Sequence, residues 1–217
     1  PNPADGTVDI EYTVEEKPSD QLELSGGYGA NQLVGTLGLS FNNFSARNTF
    51  RKGAWRPLPS GDGQRLSSRG QTNGKYYQSY NVSFTEPYLG GKKPNSFSIS
   101  VFHSIQSNGY SKENPLRQSI TITGASVGLG KRLKKPDDFF SIYHEINYQY
   151  YVLKNYGSTF LFSDGVANNL SFQETISRNS IDAPIYPRSG SQLSLTAQFT
   201  PPYSLFSKKN FKTASDN

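Results

Sequence analysis

The feature that most constrains this 217-residue chain is a regular alternation of apolar and polar residues. A period of two places alternate side chains on opposite faces of a β-strand. The alternation is clearest in SYNVSFT (79–85), NSFSISVF (95–102), FSIYHEINYQYYV (140–152) and GSQLSLTAQF (190–199). No segment holds a convincing 3.6-residue period, which an amphipathic helix requires. The pattern therefore predicts an all-β chain.

The polar partners in these segments are mostly small and uncharged. A soluble β-sandwich would carry lysine, glutamate and arginine freely on its wetted faces. Ser, Thr, Asn, Gln and Gly suit instead the hydrated interior of an antiparallel transmembrane β-barrel. Aromatic residues also gather near predicted strand ends, as they do at membrane interfaces, at Tyr88, Phe97, Phe139, Phe140, Tyr150, Tyr151, Tyr156, Tyr186 and Tyr203. Both observations favour the barrel, and the sandwich stays as the alternative.

The connections between predicted strands also repeat. Proline-bearing turns recur at Pro87, Pro136 and Pro187, and longer polar loops (107–115 and 155–169) lie between them. Strands of about ten residues with short turns at one end and longer loops at the other are typical of outer-membrane barrels. Within this pattern, the apolar parity changes at Gly124, which predicts a β-bulge there.

One strand conflicts with a lipid-facing surface. The segment LSFQETIS directs Glu174 to the same side as Leu170, Phe172 and Ile176. A charge in the middle of a bilayer is costly. Either Glu174 lies near a membrane interface or the parity of this strand is misread.

Composition excludes most catalytic chemistry. The chain has no cysteine, and its only histidines, His103 and His144, share parity with apolar neighbours. A general base needs a nucleophile within hydrogen-bond reach and a group that orients it, and no motif supplies that set. Two histidines among the carboxylates give no metal-ligand spacing. We expect no enzyme activity, catalytic residue, metal or cofactor.

The net charge of +5 raises the question of an anionic partner. A nucleic-acid site needs a basic face with interleaved aromatic residues. Here the basic residues lie in turns beside prolines, at Lys92, Lys93, Lys131, Arg132, Lys134, Lys135 and Arg188. We therefore expect no nucleic-acid partner. These cations are either solvated turn residues or contacts for anionic lipid head groups.

Four pieces in order resemble the BamA-type outer-membrane β-barrel assembly factors, in a Bacteroidota-like form. They are VDIEYTVEEK leading into LELSGGYG (8–29), SFNNF (40–44), the hairpin from Arg56 to Gly91, and IDAPIYPRSGSQLSLTAQF (181–199). The resemblance implies that residues 1–17 end the last periplasmic POTRA domain. It implies that residues 18–217 form the N-terminal half of a transmembrane barrel, about eight or nine of about sixteen strands.

The resemblance also implies a function and a location. The chain would belong to the central subunit that folds and inserts client barrels in the outer membrane of Gram-negative bacteria, with its N-terminal residues in the periplasm. Its partners would be unfolded outer-membrane proteins, accessory assembly lipoproteins, other outer-membrane subunits and outer-membrane lipids. The alternative is a polypeptide-translocating or solute-conducting pore of the TamA-like, two-partner-secretion-like or porin kind.

Two groups of site residues follow from the resemblance. The first barrel strand would be a lateral gate that accepts a client strand, comprising Gln21, Leu22, Glu23, Leu24, Ser25, Gly26, Gly27, Tyr28 and Gly29. The second group is a turn motif in mid-barrel, comprising Asp182, Tyr186, Pro187, Arg188 and Gly190. Glycine weakens a strand interior, so the gate glycines would make one seam easy to open. The alternative is that they fit a tight hairpin around Ala30 and Asn31, or make room for lumen side chains.

Overall fold

The alternating segments form β-strands. The computed structural model describes residues 11–13, 15, 19–29, 32–55, 57–91, 93–156 and 163–201. Nine strands are present: β1 (Gln21–Gly29), β2 (Gln32–Phe44), β3 (Gln64–Asn73), β4 (Tyr77–Glu86), β5 (Asn95–Ser107), β6 (Ser119–Arg132), β7 (Phe140–Lys154), β8 (Gly165–Asn179) and β9 (Gln192–Phe199). A single 3₁₀ turn, Arg47–Phe50, is the helical element of the described ranges. Among the described residues, no helix has the length and hydrophobicity of a membrane span.

The strands form one antiparallel sheet in which each strand pairs with the next along the chain, in the order β1 to β9. The prediction of an all-β antiparallel fold is confirmed. The sheet is open, with β1 and β9 at its two edges, so the size of a closed barrel stays a prediction. Most of the predicted POTRA strand (1–17) lies outside the described residues, as do the hairpin apex at Ala30 and Asn31 and the aromatic Tyr203.

The pairing register separates the residues into two faces. The apolar face carries exposed large side chains from every strand but β3, including Leu22, Leu24, Leu37, Leu39, Tyr80, Val82, Ile99, Val101, Val127, Leu129, Ile146, Tyr148, Leu170, Phe172, Leu193 and Leu195. Among the described residues only three apolar side chains are buried, namely Ile120 and Leu153 in the strands and Pro59 in a connection. A sandwich would cover its apolar faces with a second layer. Here one whole face meets the surroundings, as in a sheet that borders lipid.

The opposite face, termed the polar face, is held together by hydroxyl pairs between neighbouring strands. Ser100 Oγ lies 2.8 Å from Ser126 Oγ, and Ser67 Oγ lies 2.7 Å from Ser83 Oγ, each directly opposite its partner. Such cross-strand hydroxyl bonds stabilise a sheet. They also explain why the polar partners in the sequence are small, because directly opposed residues need short side chains to bond to each other.

Pro87, Pro136 and Pro187 lie at one end of the sheet, termed the proline end, which carries the connections 45–63, 87–94, 133–139 and 180–191. The connections 74–76, 108–118 and 155–164 lie at the other end. The expectation that the turns with Pro87, Pro136 and Pro187 share one end is confirmed. The expected difference between short turns at one end and longer loops at the other is incomplete, because the longest connection, 45–63, is also at the proline end.

Connection 45–63 is long because it folds on itself. The hydroxyl of the fully buried Ser45 donates to Asp62 Oδ2 at 2.5 Å, and the Arg47 guanidinium donates to the other oxygen of the same carboxylate. These two contacts, led by the Ser45 hydroxyl, hold the pKa of Asp62 below its usual range. A bridge between Phe44 and Ser60 closes the base of the loop.

The predicted bulge at Gly124 is wrong. β6 pairs without a register shift on both sides of this glycine, with Phe102 of β5 and Gln149 of β7 directly opposite. A Cβ at Gly124 would lie 2.6 Å from the Phe102 ring. The glycine therefore makes room for an aromatic ring on the polar face. The parity changes because Ile120 lies on that face, opposite Leu153, in a small apolar cluster.

Candidate functional site

The predicted gate residues form one edge of the sheet. β1 pairs with β2 from Gln21 opposite Ser40 to Gly29 opposite Gln32, and no strand lies on its other side in the described part of the chain. All nine residues of β1 are exposed. Alternate N–H and C=O groups of an edge strand point away from the sheet and can template an added strand. The strand therefore has the geometry that strand addition needs.

Within the described part of the chain, no neighbouring side chain requires glycine at the glycine positions of β1. A Cβ built on Gly27 or on Gly29 meets no atom within 4 Å, and one on Gly26 meets only a backbone oxygen of Val34 at 3.8 Å. None of the three has a positive φ. Gly26 also pairs with Gly35 of β2, so neither strand contributes a side chain at that position. The cross-strand packing of β1 is weak at positions where larger residues would fit.

The glycines of β6 differ in this respect. A Cβ on Gly128 would lie 2.0 Å from the Tyr143 hydroxyl, and one on Gly130 would lie 2.2 Å from Ser96 Oγ. Room for lumen side chains, one of the two alternative explanations of glycine in this chain, thus applies to β6. Among the described residues, no lumen side chain lies within 4 Å of a Cβ built on Gly26, Gly27 or Gly29.

One ion pair joins β1 to β3 across β2. Arg69 Nη2 lies 2.9 Å from Glu23 Oε1 on the polar face, and about half of each side chain is exposed. Gly38 of β2 lies between the two residues in the register. A Cβ there would come within 3.2 Å of the Glu23 side chain. Because Gly38 has no side chain, the space between Glu23 and Arg69 stays open and the two side chains can meet there.

Residues 19 and 20, which precede β1 and are termed the connector, also contact β2. The Asn42 side-chain amide donates to the carbonyl of Ser19 at 2.5 Å, and the Asn42 backbone N–H donates to Asp20 Oδ1 at 3.2 Å. These contacts hold the start of β1 at the proline end, while the strand that follows is bonded along one edge.

The predicted turn motif forms the connection 180–191 between β8 and β9. The Arg188 backbone N–H donates to Asp182 Oδ1 at 3.0 Å. Backbone hydrogen bonds from Ser189 and Arg188 lower the pKa of Asp182. Tyr186 has a φ of 58°. Gly190 has a φ of 100°, and a Cβ there would lie 2.1 Å from the Ser180 carbonyl oxygen. The motif is thus a closed turn, and it lies on the far side of the sheet order from β1.

Glu174 lies on the apolar face, so the parity of its strand is correct. His144 stands directly opposite in β7, and its Nδ1 lies 3.1 Å from Glu174 Oε2. The imidazole stacks on the Phe172 ring, with the centroids 6.3 Å apart. Both residues are within a few positions of the proline end, where β7 begins and β8 ends. Sequence reasoning found the unusual carboxylate and missed its partner.

Sequence reasoning also missed Gly38, Arg69 and Asn42. The available signal was charge, because Glu23 and Arg69 are charged residues on a face of mostly small uncharged partners. Their pairing depends on two successive strand registers, which alternation alone does not determine.

A one-layer antiparallel sheet with an exposed apolar face, a hydroxyl-rich polar face and aromatic residues near the strand ends defines the wall of an outer-membrane type of β-barrel. The family comparison agrees with this class. A model of the Omp85 superfamily domain matches residues 60–215. The chain belongs to the Omp85 superfamily, and membership implies a bacterial outer-membrane location. β1 and β2 precede the matched residues.

A solved structure has a similar fold. The crystal structure of BamA from Haemophilus ducreyi lacking POTRA domains 1–3 matches with a TM-score of 0.55 and 20% sequence identity, over 87% of this chain and 35% of that chain. At this identity the likeness concerns the fold alone. The chain thus spans about a third of the length of that BamA chain. Comparison with curated proteins gives no match.

Proposed function

We propose that this chain is the N-terminal half of the barrel of a BamA-type assembly factor, which folds and inserts client barrels into the outer membrane. In this proposal residues 18–217 contribute to a barrel of about sixteen strands, and residues 1–17 end a POTRA domain. The clients are unfolded outer-membrane proteins, and accessory lipoproteins assist. Superfamily membership and the shared fold support the proposal.

The observation that carries the proposal is the weak packing of an edge strand. Unsatisfied backbone groups cost several kcal/mol each in hydrocarbon, so a lipid-embedded wall opens only where the exposed groups soon find new partners. β1 offers a row of backbone groups along one edge, and its glycines reduce side-chain packing without any steric need for them. A client strand replaces hydrogen bonds one for one, and no covalent bond is made or broken.

The position of the connector before β1 supports a particular orientation of the sheet in the membrane. Ser19 and Asp20 lie at the proline end, since both contact Asn42 near the end of β2. If POTRA residues precede them in the periplasm, the proline end faces the periplasm and the connections 74–76, 108–118 and 155–164 face outward. In this orientation β1 starts where clients arrive.

A disulfide-crosslinking scan tests the gate. Single cysteines at Leu22, Leu24, Gly26 and Tyr28 are combined with cysteines in the last strand of a client barrel. We expect crosslinks at several of these positions during insertion. The control positions are Ile99 and Val101 of β5, which are exposed on the same face in a strand paired on both sides.

Each outcome of the scan is informative. Crosslinks at β1 and none at β5 support strand addition at the gate. Crosslinks from a passenger to polar-face positions such as Asn81, and none to β1, would instead indicate a TamA-like or two-partner-secretion-like translocator. Equal crosslinking at β1 and β5 would indicate random contact with the wall and contradict the proposal.

A further inference from the structure

The proline end contains a basic pocket of about 810 Å³. It lies between the β4–β5 connection, the start of β5, the end of β6 and the β6–β7 connection. Its charged lining consists of five cations and one carboxylate, namely Lys93, Lys131, Arg132, Lys134, Lys135 and Asp138. The term basic pocket refers to these six residues. Such a concentration of one sign of charge attracts an anion.

The positive charge of the basic pocket is largely uncompensated by protein carboxylates. Within the described ranges, no ion pair involves Lys93, Lys131, Lys134 or Lys135. Arg132 donates through Nε to the backbone carbonyl of Asp138 at 2.6 Å. The neighbouring carboxylate, Asp137, is occupied by Arg178 at 3.0 Å. At least four ammonium groups therefore surround a space that an anionic group can enter.

The pocket borders the apolar face of the sheet. Lys131 lies on that face opposite Ile142, and the next residue of β6 on the same face is Leu129, which is 48% exposed. Beside them Phe139 and Phe140 lie under the Arg178 guanidinium, whose carbon is 5.6 Å and 5.8 Å from the two ring centroids. Lys131 of the basic pocket and the neighbouring Arg178 therefore lie beside an exposed apolar surface.

This arrangement matches an amphipathic anion better than a small one. Inorganic phosphate needs donors and gains nothing from an apolar border. A lipid places its phosphate among lysines at the membrane surface and its acyl chains on the apolar wall below. Lysine stems can lie along apolar surface while the ammonium group stays at head-group level.

We propose that the basic pocket binds the phosphate head group of an anionic lipid in the leaflet at the proline end, with its acyl chains on the apolar face near Leu129 and Ile142. Lys93, Lys131, Lys134 and Lys135 supply the charge. The site is separate from client insertion and does not involve β1. A negative result for the gate would therefore leave the lipid-site proposal unaffected.

Native mass spectrometry of the natural protein in detergent micelles tests the site with phosphatidylglycerol and phosphatidylcholine as probes. We expect stronger binding of phosphatidylglycerol. Each lysine beside an anionic head group contributes about a fivefold gain in affinity, so K134Q/K135Q should lose about 25-fold for phosphatidylglycerol. The matched control is R51Q/K52Q, an adjacent exposed pair at the same end but outside the pocket. K93Q is an independent variant on the other connection.

The result that supports the site is a loss of phosphatidylglycerol preference in K134Q/K135Q and a smaller loss in K93Q, with the preference kept in R51Q/K52Q. Equal losses in both double variants would show a response to net charge and overturn the proposal. Displacement of the lipid by inorganic phosphate at similar concentration would show that the pocket binds a free anion. That result would overturn the proposal that its ligand is a lipid. No preference between the two lipids would also overturn it.

Discussion

At the residue scale, the contact most relevant to the proposed gate is the Glu23–Arg69 ion pair over Gly38. It connects the edge strand to the third strand, so it opposes separation of β1 by charge where side-chain packing is weak. Exposed pairs contribute little, about 0.2–1 kcal/mol, and salt screens them. Such a contact favours the paired position of β1 but is too weak to prevent its separation from β2.

We predict that E23Q and R69Q each increase hydrogen exchange of the β1 amides in the reconstituted protein, and that E23Q/R69Q adds little to either single change. The coupling should be about 0.2–1 kcal/mol, because both side chains are half exposed. R65Q is the control, since Arg65 lies on the same face of β3 and contacts Ser40 of β2 at 3.1 Å. Additive effects of E23Q and R69Q would contradict a direct interaction.

At the element scale, the glycines of β1 and β6 show that one residue type has two different roles in similar strands. In β6 the glycines leave room on the polar face for the side chains of Phe102, Tyr143 and Ser96. This strand is paired along both sides. In β1 the space beside the glycines is open. β9, the other edge, has no glycine between Gln192 and Phe199. The glycine content is therefore a property of the first strand and is not shared by the other edge strand.

The β8–β9 connection should depend on pH through Asp182. Its pKa is lowered in the folded turn by the backbone N–H groups of Ser189 and Arg188. The carboxylate therefore stabilises the turn above the unfolded-state pKa of about 3.9, and this contribution is lost as pH falls through the lower folded-state value. We expect the NMR amide shifts of Arg188 and Ser189 to change below about pH 4.

D182A should show the open-turn shifts at neutral pH and no acid transition. D182N keeps an acceptor oxygen without the charge, so it should stay partly closed and also lack the transition. An unchanged acid transition in D182N would mean that another group titrates.

At the scale of the whole molecule, the two faces of the sheet should respond differently to charge. Val82 lies near the middle of β4 on the apolar face, opposite Val101, and Ser79 of the same strand lies on the polar face opposite Ser104. A lysine that faces lipid at the bilayer midplane costs about 2–4 kcal/mol, whereas a lumen lysine is tolerated.

We predict that V82K lowers the free energy of unfolding by about 2–4 kcal/mol in bilayers, measured by urea titration, and that S79K changes it far less. Equal destabilisation by the two lysines would show that both faces are packed against protein. That outcome would restore the sandwich alternative for this chain.

Alternation by itself determined the all-β class, the segregation of apolar and polar side chains, and the apolar position of Glu174, because a period of two is a local property of the chain. It also showed the glycine-rich character of the first strand. It did not determine what any glycine does, and it misassigned Gly124 as a bulge.

Only the tertiary structure decided which distant residues meet. Glu23 reaches Arg69, His144 reaches Glu174, and the lysines of two connections form one pocket because successive strand registers bring them together. Register arises from turn geometry and from the packing of whole strands, and a shift of one residue moves every side chain to the other face. For that reason these contacts follow from the assembled sheet and not from any single segment of it.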